Sequence, residues 1–129
     1  MTILIWCLII SALLPMVAKA PVAFAQHKAG GYNNKHPRAQ QATLEGFGAR
    51  ALAAHQNAYE SLTYIVPALL LAMITNNTGA TFEQLAIVIV VARILFNVLY
   101  LANLDILRSL TWAVGIGCSI AMMVMCLPA

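Results

Sequence analysis

Apolar residues fill this chain in four long stretches that are separated by shorter polar segments. The stretches cover residues 2–25, 49–75, 82–102 and 106–127. Each is close to the roughly 20 residues that a helix needs to cross a bilayer. Turn-forming residues at 76–79 and 103–105 connect the last three stretches, and such short connections make neighbouring helices antiparallel. The pattern predicts an all-α integral membrane protein, an antiparallel up-down four-helix bundle forming one domain over residues 1–129.

The composition excludes a soluble globular protein of this size. Hydrophobic residues make up 62% of the chain and charged residues 9%, against about 45–50% and 25% in soluble proteins. The net charge of +3 comes from scattered residues, which form no stripe that could follow a nucleic-acid backbone. The three cysteines lie in apolar stretches without metal-ligand spacing, so we expect core cysteines and no metal site. Membrane lipids are the expected surroundings, and nucleic acid is not an expected partner.

The first stretch has two possible interpretations. Residues 18–20 and 23–25 resemble the small-residue cleavage sites of secretory signals. However, residues 2–6 contain no Lys or Arg, so the basic segment that opens a signal peptide is missing. An uncleaved first helix is the favoured prediction.

Basic residues concentrate in the loop of residues 26–47, which contains Lys28, Lys35 and Arg38 against the single acid Glu45. The loop at 76–79 has no Lys or Arg. The positive-inside rule therefore predicts that the 26–47 loop is cytoplasmic and that both chain ends lie on the other side. A short helix is possible over residues 38–46.

Polar residues inside the spans are candidates for function, because an ionisable group there is costly unless it is paired or hydrated. At about 1.5 Å of rise per residue, Glu60 of the second span and Arg93 of the third lie at the same depth. We therefore predict a buried Glu60–Arg93 ion pair. Helical spacing gathers further residues near this pair. They are Arg50, Asn57 and Tyr64 on the second span, the stripe of Phe96, Asn97 and Tyr100 on the third, and Arg108 and Ser109 on the fourth.

The convergence of these residues predicts a polar pocket that opens toward the cytoplasmic leaflet. Two alternatives stay open. The polar residues can hold the helices together without binding a ligand, and Arg108 can reach lipid phosphates at the membrane surface. His55 points away from this face, so we interpret it as a hydrogen-bonded packing histidine.

Four segments resemble the MAPEG superfamily of membrane-associated proteins in eicosanoid and glutathione metabolism. They are Asn33-Asn34-Lys35-His36-Pro37-Arg38, the run from Arg50 to Glu60 with its Ala-His-x-Asn-x-x-Glu element, the run from Arg93 to Tyr100, and Leu107-Arg108-Ser109. The chain is most similar to short bacterial members of the inner (plasma) membrane. The resemblance implies a homotrimer of four-helix protomers with glutathione, or a related thiol, held between neighbours.

The resemblance also implies roles for individual residues. Asn57, Glu60 and Arg93 match positions that hold glutathione, and Arg50 is assigned with them. Arg108 matches the arginine that activates the thiol, with Tyr100 and Ser109 as hydrogen-bond donors. Glutathione-using members commonly have arginine where this chain has Ala54, and often a basic residue where it has Gln56.

Three functional hypotheses follow from the sequence. The first is a glutathione-dependent transferase or peroxidase that acts on a lipophilic small molecule drawn from the bilayer. The second is a non-catalytic membrane scaffold or binding protein with the same fold. The third is a small transporter or proton relay built on Glu60.

Overall fold

The computed structural model describes residues 1–128, so that Ala129, the last residue of the predicted domain, lies outside it. The helices are α1 (Thr2–Lys28), α2 (Pro37–Gln41), α3 (Phe47–Ile74), α4 (Ala80–Leu101) and α5 (Asp105–Met125). All but α2 are long and apolar enough to cross a membrane. The all-α four-helix bundle is confirmed, and the predicted spans agree with the helices to within three residues at every end.

Two asparagines end α3 and α4 in the same way. Asn76 and Asn103 have φ of 57° and 61°, in the left-handed region that only glycine and asparagine adopt readily. After α3, the Asn77 N–H donates to the Ala72 carbonyl at 2.8 Å, and after α4 the Leu104 N–H donates to the Leu99 carbonyl at 3.0 Å. These bonds are those of a Schellman motif. They let each chain reverse within a few residues, as the turn sequences predict.

Small residues on α3 allow its neighbours to pack closely. α1 and α4 pack on α3 and on each other, and α5 packs on α4 and α3. The buried face of α3 repeats small side chains at Ala51, Ala54, Ala58 and Ser61. Helices in membranes associate through such faces because their backbones can approach each other. Larger apolar side chains, among them Leu4, Ile65, Ile89 and Met122, fill the core farther from the long loop.

α1 and α3 are longer than a bilayer requires. With 27 and 28 residues they extend about 40 Å, some 10 Å more than the hydrocarbon core. The extra turns form an extension on the side of the 29–46 loop. Gly48 is buried in it, and a Cβ at this position would lie 3.0 Å from the Leu44 Cβ and 3.1 Å from the Ala25 Cβ. The short helix of this loop covers residues 37–41 and stops before the predicted end at 46.

Candidate functional site

Arg93 of α4 is the centre of the polar site and has only 1% of its side chain exposed. Its Nη2 donates a hydrogen bond to the side-chain Oδ1 of Asn57 on α3. The same nitrogen lies 3.4 Å from the Asn57 backbone carbonyl. Asn57 Nδ2 in turn donates to Glu60 Oε2 at 3.3 Å. Asn57 therefore joins the guanidinium to the carboxylate, using the acceptor and the donor of one amide.

The predicted direct ion pair between Glu60 and Arg93 is wrong. Within residues 1–128 the one ion pair with an N···O distance of 4.0 Å or less joins the Met1 amino group to Glu83. Glu60 is exposed on the surface of the protomer, whereas Arg93 is buried. A neutral amide costs less to bury than a carboxylate, so Asn57 occupies the half-buried position between them.

Further polar atoms around Arg93 have no partner within the described chain. They are Nε and Nη1 of Arg93, the hydroxyl of Tyr64 and Oδ1 of Asn97. Asn97 is held in place because its Nδ2 donates to the Arg93 carbonyl at 3.0 Å. Buried polar atoms normally form hydrogen bonds. Two donors and two oxygen atoms are therefore buried without a hydrogen-bond partner among residues 1–128.

Gly115 of α5 makes room for Arg93, and sequence reasoning missed it. A Cβ on Gly115 would lie 3.4 Å from Arg93 Cδ. An alanine Cβ would therefore be in van der Waals contact with the arginine, and a longer side chain would compete with the arginine for space. The sequence signal for this role was a glycine inside the apolar span that follows the span of Arg93.

Aromatic rings connect Arg93 to Arg108 of α5. The Arg93 guanidinium lies 4.3 Å from the centroid of the Phe96 ring. Phe96 packs edge-on against Tyr100, with 5.5 Å between ring centroids, and the Arg108 guanidinium lies 4.2 Å from the centroid of Tyr100. Cations favour the faces of aromatic rings. The two arginines thus belong to one continuous arrangement.

The Arg108 side chain is half-buried. Of the residues that the structure describes, none supplies a carboxylate oxygen within 4.0 Å of it, and this includes Asp105. Its guanidinium lies instead over the face of the Tyr100 ring.

Two of the predicted site residues lie apart from this arrangement. Arg50 Nε donates to the Leu101 carbonyl at 3.4 Å, where a cation satisfies the C-terminal end of α4. Ser109 is exposed and follows Arg108 by one residue, which turns its side chain about 100° around the helix axis. The structure therefore connects Asn57, Glu60 and Arg93 to Tyr100 and Arg108 through the ring of Phe96, and it leaves Arg50 and Ser109 outside this arrangement.

The interpretation of His55 as a packing histidine is confirmed. Its Nδ1 lies 2.9 Å from the Pro15 carbonyl of α1. A carbonyl oxygen only accepts, so Nδ1 carries the proton. The ring also packs edge-on against Tyr59, with 5.3 Å between centroids. Ala54, one residue earlier, is buried in the core.

The comparisons with known proteins agree with this architecture. No curated protein and no solved structure gives a significant match to the chain. A model of the MAPEG family matches residues 3–128, which includes all four membrane-spanning helices and every residue of the polar site. The chain therefore belongs to the MAPEG family.

Proposed function

We propose that this MAPEG protein is a glutathione-dependent transferase or peroxidase that acts on lipophilic electrophiles from the bilayer. The observation that carries the proposal is the pair of arginines in one arrangement. Among residues 1–128, Arg93 has two donor atoms without a partner and Arg108 has no carboxylate partner. Both guanidiniums contact the same aromatic pair. Buried or half-buried arginines without acids fit a ligand that brings its own negative charge.

The charges of glutathione match the site. The tripeptide carries two carboxylates and one amino group. Arg93 can bind one carboxylate through Nη1, which has no hydrogen-bond partner within residues 1–128, and Arg50 can move from the Leu101 carbonyl to bind the other. Glu60 is exposed and its carboxylate accepts a hydrogen bond from Asn57, so its other oxygen can pair with the amino group.

Arg108 is proposed to activate the thiol. A guanidinium beside sulfur favours the thiolate and lowers the pKa of the thiol. Tyr100 lies against Arg108 and can donate a hydrogen bond to the sulfur, and Ser109 is the second candidate donor. In the transferase reaction the thiolate attacks an electrophilic carbon, the S–C bond forms, and the leaving group departs with its electron pair.

An apolar groove between α4 and α5 can hold the lipophilic substrate. Its volume is about 350 Å³, and its walls include Ile87, Val91, Leu110 and Val114. Ala92, the neighbour of Arg93, also lines it. A molecule dissolved in the bilayer can therefore enter this groove without crossing water, at the depth on α4 where Arg93 lies.

A homotrimer in the inner membrane is part of the proposal. Glu60 and Tyr59 are exposed on the protomer surface although they lie within a membrane-spanning helix. A neighbouring protomer at this surface would shield both polar groups from lipid. Mass measurement of the intact assembly in detergent should give three chains. A stable monomer would contradict this part of the proposal.

The proposal is tested by glutathione binding together with conjugation to an aryl halide, using the full chain in detergent. Arg93→Gln should weaken binding by about one to two powers of ten, because a charge-assisted contact of about 1.5–3 kcal/mol is lost. Lys35→Gln removes an exposed loop charge and should change binding less than twofold. Absence of both binding and turnover in the wild type would favour the non-catalytic scaffold or binding protein.

A further inference from the structure

A narrow apolar crevice lies between α1, α3 and α4. Its volume is about 170 Å³, and its walls include Val17 and Ala18 of α1, Ala54 of α3, and Ile94, Asn97 and Val98 of α4. It shares no lining residue with the groove proposed for the electrophile, and none of the residues assigned to glutathione lines it. The crevice is therefore a separate feature of the protomer.

One polar side chain, that of Asn97, interrupts the apolar wall. This residue is only 8% exposed. Its Nδ2 donates to the Arg93 carbonyl at 3.0 Å, which fixes the orientation of the amide and leaves Oδ1 as its acceptor. Within residues 1–128 this Oδ1 has no hydrogen-bond partner. A buried acceptor without a partner costs free energy, so we expect a donor from outside the chain at this atom.

Water is a poor candidate for that donor. A buried water is typically held by about three hydrogen bonds to polar groups. The crevice offers it the side chain of Asn97, and every other lining side chain is apolar. Apolar cavities stay dry and admit apolar molecules instead. The walls also contain no charged side chain, so the donor belongs to a neutral molecule that is otherwise apolar.

The crevice can be entered from the hydrocarbon of the bilayer. Val17 and Val98 line it and are 66% and 54% exposed. α4 spans about 33 Å, close to the thickness of the hydrocarbon core. Asn97 lies about 6 Å, or one helical turn, from the loop-side end of α4 at Leu101. A molecule dissolved in the loop-side leaflet therefore reaches Asn97 without leaving the lipid.

From this lone buried acceptor in a small apolar crevice, we infer that the crevice binds a lipophilic phenol. An apolar cavity of about 150 Å³ holds a benzene ring, so a crevice of about 170 Å³ has room for one aromatic ring. A phenol hydroxyl stays protonated at neutral pH and donates a hydrogen bond to Asn97 Oδ1. Alkyl substituents on the ring extend past Val17 and Val98 into the lipid. Binding of the phenol does not require glutathione.

The experiment is a fluorine NMR titration of the full chain in detergent, without glutathione. The probes are para-fluorophenol and its methyl ether para-fluoroanisole, which keeps the ring but cannot donate a hydrogen bond. Protein-free micelles give the signal of probe that is dissolved in detergent. The wild type should bind the phenol about 2- to 12-fold more tightly than the ether, the effect of one net hydrogen bond. In Asn97→Leu, which replaces the amide by an apolar group of similar size, the two affinities should become equal.

A pair of alanine variants on α1 tests the location of the bound probe. Ala18 lines the crevice, so Ala18→Leu should fill it and weaken the binding of both probes by about tenfold. Ala20 is exposed and does not line the crevice, so Ala20→Leu should change both affinities less than twofold. Circular dichroism checks the fold. If Asn97→Leu does not fold, the ratio of the two affinities in the wild type and the alanine pair decide the outcome.

Several results would overturn the assignment of a phenol site. Equal affinities of the wild type for phenol and ether, or no binding beyond that of protein-free micelles, would mean that no hydrogen bond forms. A preference for the phenol that persists in Asn97→Leu would place the acceptor elsewhere. Equal effects of Ala18→Leu and Ala20→Leu would place the probes outside the crevice. A fluorinated aliphatic alcohol of the same size that binds as tightly as the phenol would indicate a general alcohol site, and displacement of the phenol by millimolar glutathione would indicate a shared site.

Discussion

At the scale of single residues, Asn57 explains how a buried arginine is retained in this bundle. Its side chain accepts a hydrogen bond from Arg93 and donates one to Glu60. The negative charge of the carboxylate therefore stabilises the guanidinium through the amide, while Glu60 itself stays at the surface. A residue with only donors or only acceptors could not make both bonds.

Replacing Asn57 should therefore destabilise the protein. Asn57→Ala removes a hydrogen bond to a buried charge, and we expect a loss of about 1.5–3 kcal/mol in the free energy of unfolding. The measurement is unfolding of the detergent-solubilised protein by a denaturing surfactant. Asn34→Ala, at an exposed loop position, is the control and should change stability by less than about 0.5 kcal/mol. A similarly small change for Asn57→Ala would contradict the bridging role.

The coupling between Glu60 and Arg93 should depend on Asn57. A double-mutant cycle with Glu60→Gln and Arg93→Gln should give an interaction of about 0.5–1 kcal/mol in the wild type. In the Asn57→Ala background the same cycle should give nearly zero. Coupling that persists without Asn57 would mean that the two charges interact directly.

At the scale of the elements, the tight turn at Asn103 determines that α4 and α5 pack as antiparallel neighbours. Asn103 adopts a positive φ immediately before α5 begins at Asp105. Asn103→Gly should leave stability unchanged or slightly higher, whereas Asn103→Val should lower it by about 1–2 kcal/mol. The same surfactant unfolding measures both variants, with Asn34→Val as the control. Equal stability of the glycine and valine variants would contradict the role assigned to this conformation.

The helices were predictable from the sequence. In a bilayer the backbone N–H and C=O groups find no water, so a long apolar stretch must satisfy them within a helix. The contacts inside the site were less predictable. Depth along the helices placed Glu60 and Arg93 together, but helix rotation and side-chain direction decide that Asn57 contacts the arginine. The four-residue spacing likewise predicted that Phe96 and Tyr100 lie on one face of the third span. The contact of Arg108 with Tyr100 depends on how α5 packs against α4, which the spacing does not give.

The loop was the least predictable element. The reciprocal pairing of Gln26 and Gln40 spans 14 residues, and nothing in local propensity indicates it. The length of α1 explains how an ionisable residue, Lys19, can stand inside the first apolar stretch. α1 continues beyond the hydrocarbon as far as Lys28, so Lys19 lies at the edge of the bilayer.

At the scale of the whole molecule, the distribution of basic residues predicts the orientation. The 26–47 loop is expected in the cytoplasm with both ends on the other side. A reporter that is active only in the cytoplasm should be inactive when fused to the C-terminus and active when inserted after Lys35. High activity of the C-terminal fusion would contradict this topology.

The central feature of the proposed chemistry is that Arg108 stabilises a bound glutathione thiolate. Ultraviolet difference absorbance at neutral pH with millimolar glutathione measures the amount of thiolate. The wild type should show a thiolate signal, and Arg108→Ala should abolish it. Arg108→Lys should keep part of the thiolate signal, because the positive charge remains while the planar pair of guanidinium donors is lost. Lys35→Ala should match the wild type. A wild type without a thiolate signal, or an Arg108→Ala variant that keeps the full signal, would contradict the proposed chemistry.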